Sequence, residues 1–305
     1  MERLLQHPLQ SAMAVFVLSL LPLVNALAGP FLALVTLRNG RNAGLIALVA
    51  GAAGTWLFTY YELGSAFSQL YDVMFLRLAS DYGFLVVVAL LLRYFVSLSL
   101  TLYVTTLTLC ALVIVIQLLF GLPDASTWQS YYMEQQAALG VANPGQTIMG
   151  LDAVQSRMLF EIVAKGWVAM LFLATVLKLF LARWWQARLF NSGGFQQAFH
   201  SLRLTPRALL SLLPFFVGSL FSEAPQWVAT CGVLVICLLA LFGCGVVHGL
   251  IAQRKQHNKL LLFLFYGIFF LAMGQGYADF WILGVVLLAI ADSFLNLRLR
   301  YQQPQ

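Results

Sequence analysis

The amino-acid sequence predicts an all-α, polytopic membrane protein of about eight transmembrane helices, in a range of about seven to nine, with a cytoplasmic C-terminus. Three observations lead there. Apolar residues make up 61% of the 305-residue chain and charged residues 9%, against roughly 25% charged in an ordinary soluble protein. A water-facing surface of this size needs more ionisable groups than that, whereas a lipid-facing surface excludes them. Apolar runs near the length of a bilayer crossing recur along the chain. The charges between them are also sorted. Arg38 and Arg41 fill one turn, Arg183, Arg188, Arg203 and Arg207 a second, Arg254, Lys255 and Lys259 a third, and Arg298 and Arg300 the tail. The stretch from Leu122 to Met158 instead holds Asp124, Glu134 and Asp152, with Arg157 as its base. This is the positive-inside distribution. It accounts for the net charge of +6 without nucleic acid as a partner.

The elements follow in order within one integral membrane domain spanning residues 1–305. From Leu9 to Leu37 the chain is apolar but interrupted by Pro22 and Gly29-Pro30, which predicts a kinked helix or a helix plus re-entrant piece. One crossing there puts the N-terminus outside and two put it inside. The Ala26-Leu27-Ala28 triplet resembles a signal-peptide cleavage site. Cleavage would strand Arg38 and Arg41 on the wrong side, so a retained helix is expected. The next helix, about Asn42 to Tyr60, carries Ala43, Ala47, Gly51 and Thr55 at every fourth position. That small-residue stripe predicts close backbone approach and a central place in the bundle. Tyr61 to Asp81 is mixed and reads as interfacial. Gly83 to Gly121 is long enough for two helices, with the turn expected near Arg93.

Leu122 to Met158 reads as an external loop with a partial helix, its Trp128, Tyr131 and Tyr132 at the interface. A span from about Leu159 to Leu181 ends in the Arg183-Trp184-Trp185 anchor, and residues 186–206 form a basic cytoplasmic loop. Further spans are expected at about Arg207–Ser222, Gln226–Leu250, Lys259–Met273 and Tyr277–Leu295.

Ionisable residues inside such spans are functional candidates, because burying them is expensive unless they are paired. Glu161 and Lys165 lie four apart in the orientation that favours an intrahelical ion pair. Asp292 lies one turn before the end of the last span, with Asn296 on the same face and Arg298 beyond. It is expected to dock on a basic turn such as the one at Arg38 and Arg41. His248 sits in Gly245-x-x-x-Gly249, a helix-packing pattern, and is expected to hydrogen-bond across that interface. His200 and His257 read as ordinary loop residues. Cys110, Cys231, Cys237 and Cys244 lie in apolar runs and read as small hydrophobes. No Walker loop, metalloprotease helix or Cys-x-x-Cys pair occurs in the sequence, so no cofactor, metal or catalytic residue is assigned.

Phe199-His200-Ser201-Leu202-Arg203-Leu204-Thr205-Pro206, Val247-His248-Gly249-Leu250 and Leu288 to Arg298 carry a resemblance, together with the Pro22–Pro30 region and the Arg38-Asn39-Gly40 turn. On these the chain resembles the bacterial membrane proteins catalogued as domain of unknown function 2232. That family is similar in plan to the substrate-binding components of energy-coupling-factor vitamin transporters and to small rod-shape membrane proteins. The resemblance implies an inner-membrane helical scaffold that captures a small molecule or recruits partners, with ATPase or other membrane subunits supplying energy or chemistry. Asp292, Asn296 and Arg298 match its last-helix motif and His248 its basic-turn motif. The expected function is a non-enzymatic transport-related subunit or membrane scaffold. A proton-coupled transporter and a membrane enzyme are the alternatives.

Overall fold

The computed structural model describes residues 2–22, 24–63, 78–138, 152–221, 223–253 and 258–300, and no strand occurs among them. Helices are α1 (Glu2–Gln6), α2 (Pro8–Leu20), α3 (Ala28–Asn39), α4 (Arg41–Leu63) and α5 (Leu85–Phe95), the last entered through a π-helical stretch, Ala79–Phe84. There follow α6 (Leu98–Leu119), α7 (Ala125–Ala138), α8 (Ala153–Phe190), α9 (Gly194–His200) and α10 (Pro206–Gly218). The chain ends with α11 (Gln226–Ala252), α12 (Asn258–Gly274), α13 (Ala278–Leu295) and α14 (Leu297–Arg300). Among the described residues five helices are long and apolar enough to cross a membrane: α4, α6, α8, α11 and α13. Four shorter apolar helices, Pro8–Leu20, Tyr82–Phe95, Pro206–Gly218 and Lys259–Gly274, reach only about 20–24 Å at 1.5 Å per residue. The chain packs as two compact units, residues 1–96 with 119–192, and residues 97–118 with 193–305.

In the first unit the Leu9–Leu37 block is a hairpin. The break comes at Leu21–Leu27, ahead of Gly29-Pro30, so Pro30 falls in the first turn of α3, where its missing N–H costs nothing. Asn39 at the end of α3 donates to the Leu5 carbonyl (2.8 Å), which returns α3 to the level of the N-terminus. Every residue from Ala28 to Leu37 is buried, so α3 is the centre of this unit, in contact with α2, α4, α5 and α8. The small-residue stripe was expected to make the following helix central. The stripe is a seam instead: Ala43, Ala47 and Gly51 are buried, while Leu45, Ile46, Val49 and Leu57 on α4 are exposed. Its partner is α2. A Cβ at Gly51 would come within 2.9 Å of the Val15 side chain, and one at Gly54 within 2.7 Å of the Phe16 carbonyl. Tyr82 closes the seam, its hydroxyl 2.9 Å from Thr55 and 3.3 Å from Ser19. Most of the 61–81 segment lies outside the described residues.

Helix α8 is longer than the span expected at Leu159–Leu181. At 38 residues it extends roughly 57 Å. Its start is fixed by a capping box, in which Gln155 N–H donates to Asp152 Oδ1 (2.8 Å) and Asp152 N–H to Gln155 Oε1 (3.0 Å). The partial helix expected at 122–158 is α7, which packs on α8 through Trp128–Trp167 and Tyr132–Phe160 ring pairs. Its N-cap is Asp124, which accepts from Thr127 N–H and the Ser126 and Thr127 hydroxyls. These bonds hold its carboxyl down at about 2.

In the second unit α11 is the axis, with Cys231, Leu234, Leu238, Leu239 and Phe242 buried along it. Glycines let neighbours approach its backbone. A Cβ at Gly243 would lie 2.1 Å from the Val285 carbonyl of α13, and one at Gly232 would lie 2.8 Å from the Phe215 carbonyl of α10. All four cysteines are free thiols. We expect Gly243→Ala to cost about 1–3 kcal/mol through overpacking. Gly267→Ala on α12, where a Cβ meets nothing within 4 Å, should be neutral or stabilising by up to about 1 kcal/mol. Thermal melts of the detergent-solubilised variants check the contrast.

Candidate functional site

The polar residues of the second unit gather where α13 ends. Asn296 takes a left-handed conformation (φ 55°) that asparagine tolerates, and its N–H donates to the Asp292 carbonyl (3.0 Å). The chain therefore turns sharply into α14 and carries Arg298 back against α13. Arg298 Nη2 pairs with Asp292 Oδ2 at 2.7 Å, with side-chain exposures of 11% and 1%. Nη2 also donates to the Leu202 carbonyl (2.7 Å), and Nη1 to the carbonyl of His200. His200 ends α9, where the last carbonyls have no partner within the helix. One guanidinium thus serves a buried carboxylate and two carbonyls at the end of α9 and the turn after it, a use that suits arginine's planar five-donor fork.

A second arginine braces the same turn. Arg203 N–H donates to Ser99 Oγ (3.1 Å), and its Nη2 donates to the Ser293 carbonyl (3.1 Å). Gln253 Nε2 donates to the Arg298 carbonyl (3.3 Å). Gly249 makes the approach possible, since a Cβ there would lie 3.0 Å from Arg298 Cδ and 3.2 Å from the His200 carbonyl. Beside this clasp lies an open groove of about 520 Å³, lined by Gln197, His200, Ser201, Arg203, Gly249, Ala252, Gln253, Asn296 and Arg298. Arg203 Nε, Gln253 Oε1 and Asp292 Oδ1 are buried without a protein partner among the described residues. The site thus combines cationic and amide groups with an unfilled hydrogen-bonding capacity. Burial, and then the Arg298 charge, hold the His200 imidazole below its ordinary 6.5.

Asp292, Asn296, Arg298, Gly245, Gly249 and His248 therefore lie in one neighbourhood, with departures from the sequence reading. The ion-pair partner of Asp292 is Arg298, six residues on, and not the Arg38 and Arg41 turn. Gly245 and Gly249 face the α9–α10 connection: a Cβ at Gly245 would lie 2.9 Å from the Phe199 carbonyl. His248 reaches instead to α12, its Nε2 2.7 Å from the Tyr266 hydroxyl, with the Phe199 ring edge-on at 5.2 Å. Glu161 and Lys165 stand elsewhere, on α8 of the first unit. Glu161 pairs with Arg157 (3.3 Å) rather than with Lys165, and both basic side chains are exposed. Exposed pairs of this kind contribute little to stability. The sequence reading took His200 for an ordinary loop residue and Arg203 for one of a basic cluster, and did not single out Gln253. Their contacts run largely through backbone atoms, which leave no residue-type signature.

Five membrane-length apolar helices and an arginine-clasped polar end define an all-α chain of membrane-protein character. No protein-family model, no curated protein and no solved structure matches it. The resemblance to the family of unknown function rests on the motif residues alone.

Removing one member of the clasp should be far worse than removing both. Asp292→Leu or Arg298→Met alone should cost about 3–5 kcal/mol. The double variant should recover part of that loss, but not all, because the two carbonyls stay bare. A double-mutant cycle in detergent measures this. A pH series checks His200. Its lowered folded value makes the neutral ring's contribution complete above pH 6.5 and lost as pH falls through the folded value. The melting temperature of wild type should fall more between pH 7 and pH 5 than that of His200→Gln.

Proposed function

We propose that the chain is a non-enzymatic, multi-pass component of the bacterial inner membrane that recruits a partner subunit on its cytoplasmic face, as a transport-related subunit or an envelope scaffold. The supporting observation is the second unit's polar end, where Arg298 and Arg203 are held rigidly by the fold while an open groove of about 520 Å³ remains beside them. A rigid polar recess at a helix-bundle end suits a protruding partner segment better than bond-making chemistry. The proton-coupled alternative needs a free carrier site; Glu161 is bonded to Arg157 and His248 to Tyr266.

The topology in this reading has eight crossings: α4, α5 with its π-helical lead, α6, α8, α10, α11, α12 and α13. The hairpin of α2 and α3 enters and leaves from the cytoplasmic side. That arrangement places Arg38, Arg93, Arg183, Arg203 and Arg298 on the cytoplasmic side together with both chain ends, as the positive-inside rule asks. The short crossings are accommodated by local bilayer thinning. The family resemblance, with its ATPase or other membrane partner subunits, agrees with this plan.

The test is a pull-down of the tagged protein from its native membrane beside a Gln197→Trp variant, which fills the groove from an exposed position without touching the clasp. A stoichiometric partner should accompany wild type and be depleted at least about tenfold, or about 1.4 kcal/mol, in the variant. A transport ATPase would specify the first role and an envelope protein the second. No partner in either sample, or equal recovery in both, would contradict the proposal.

A further inference from the structure

Three arginines from three helices meet at one recess of the first unit, and no acid among the described residues pairs with any of them. Arg38 lies in the last turn of α3, Arg93 in the last turn of α5 and Arg183 near the end of α8. With Leu37, Leu92, Val96 and Gln186 they line a cavity of about 430 Å³ that contains no carboxylate. Among the described residues no ion pair reaches any of the three. Their contacts are to neutral groups. Arg93 Nη1 donates to the carbonyls of Leu37 (2.8 Å) and Arg38 (2.9 Å). Arg183 Nη1 donates to Gln186 Oε1 (2.6 Å). The Arg38 guanidinium lies 4.3 Å above the Phe190 ring.

Each guanidinium carries five N–H donors, and these contacts use few of them. Cations crowded in one recess repel each other, and the described residues lining it offer no counter-charge. A tetrahedral oxyanion supplies both the charge and the several acceptor oxygens that arginine forks match. In the topology proposed above, on which this point rests, the recess lies at the membrane boundary, where basic pockets between helices meet acidic headgroups.

We propose that Arg38, Arg93 and Arg183 form a binding site for a phosphate-bearing anion, the phosphodiester of an acidic membrane lipid or a soluble phosphate ester. Arg93 acts mainly as the floor, because its first duty is to the α3 carbonyls. Arg38 and Arg183 supply the free donors. Gln186 holds Arg183 in place and is neutral, so it does not compete for the charge.

The experiment titrates the delipidated, full-length protein in neutral detergent with phosphatidylglycerol, with zwitterionic phosphatidylcholine, and with inorganic phosphate, following the shift in melting temperature. Phosphatidylglycerol should saturate a site at least about tenfold tighter than phosphatidylcholine. Arg38→Gln and Arg183→Gln should each weaken it by about that factor. Lys165→Gln, at an exposed base on the same unit, should leave it unchanged. Saturation by inorganic phosphate with the same arginine dependence and no lipid preference would assign the site to a soluble phosphate ester. Gln186→Glu covers the case of a poorly folding arginine variant. It places a carboxylate where the amide already touches Arg183, and should lower affinity while preserving the fold. Absence of saturable binding by either lipid or phosphate, or binding indifferent to these substitutions, overturns the proposal.

Discussion

A helix that ends in a low-dielectric environment leaves its last carbonyls without partners, and the fold is organised around satisfying them. Each unit assigns an arginine to the task. In the first, Arg93 bonds the Leu37 and Arg38 carbonyls, which close helix α3, buried from Ala28 to Leu37. In the second, Arg298 bonds the His200 and Leu202 carbonyls and takes its counter-charge from Asp292. A guanidinium suits this role because it is permanently charged, planar and rich in donors. The opposite sign of the helix C-terminal dipole adds to the attraction. Once these ends are tied, the placement of the neighbouring helices follows: α5 is pinned to α3, and α13 to the turn between α9 and α10.

The second condition is close approach. With lipid as solvent there is little hydrophobic gain in bringing helices together, so contact depends on shape and on scattered hydrogen bonds. Both units meet it with glycine. Gly51 and Gly54 admit α2 to α4, and the Ser19, Thr55 and Tyr82 hydroxyls knit that seam. Gly232 and Gly243 admit α10 and α13 to α11, and Gly249 admits Arg298 itself. The clasp and the groove thus depend on a residue chosen for its missing side chain as much as on the charged ones.

Much of this was legible beforehand where the signal is local. Hydropathy located α11 and α13 to within two residues of their observed ends, against expected spans of Gln226–Leu250 and Tyr277–Leu295. The turn expected near Arg93 falls at Val96–Ser97. Asp292, Asn296 and Arg298 were named together by their place at the end of the last span, but the base expected for Asp292 lay in the Arg38 and Arg41 turn, and Arg298 took that role instead. What escaped was decided by distant backbone. Nothing about Leu37 or Leu202 as residue types marks their carbonyls as arginine acceptors. The stripe on α4 announced a close contact without saying that one contact face leaves the other in lipid. The i, i+4 rule favoured Glu161 with Lys165, yet Arg157 satisfies the same spacing from the other side and won.

Hydrogen–deuterium exchange of the last turn of α3, compared between wild type and Arg93→Met, tests the central claim most directly. If the guanidinium completes that helix end, the amides around Leu37 to Gly40 should lose protection by about tenfold or more, as expected for hydrogen bonds to a charged donor. The capping-box end of α8 should remain unchanged. Equal protection in both proteins would contradict the account, because α3 would then hold its end without the arginine.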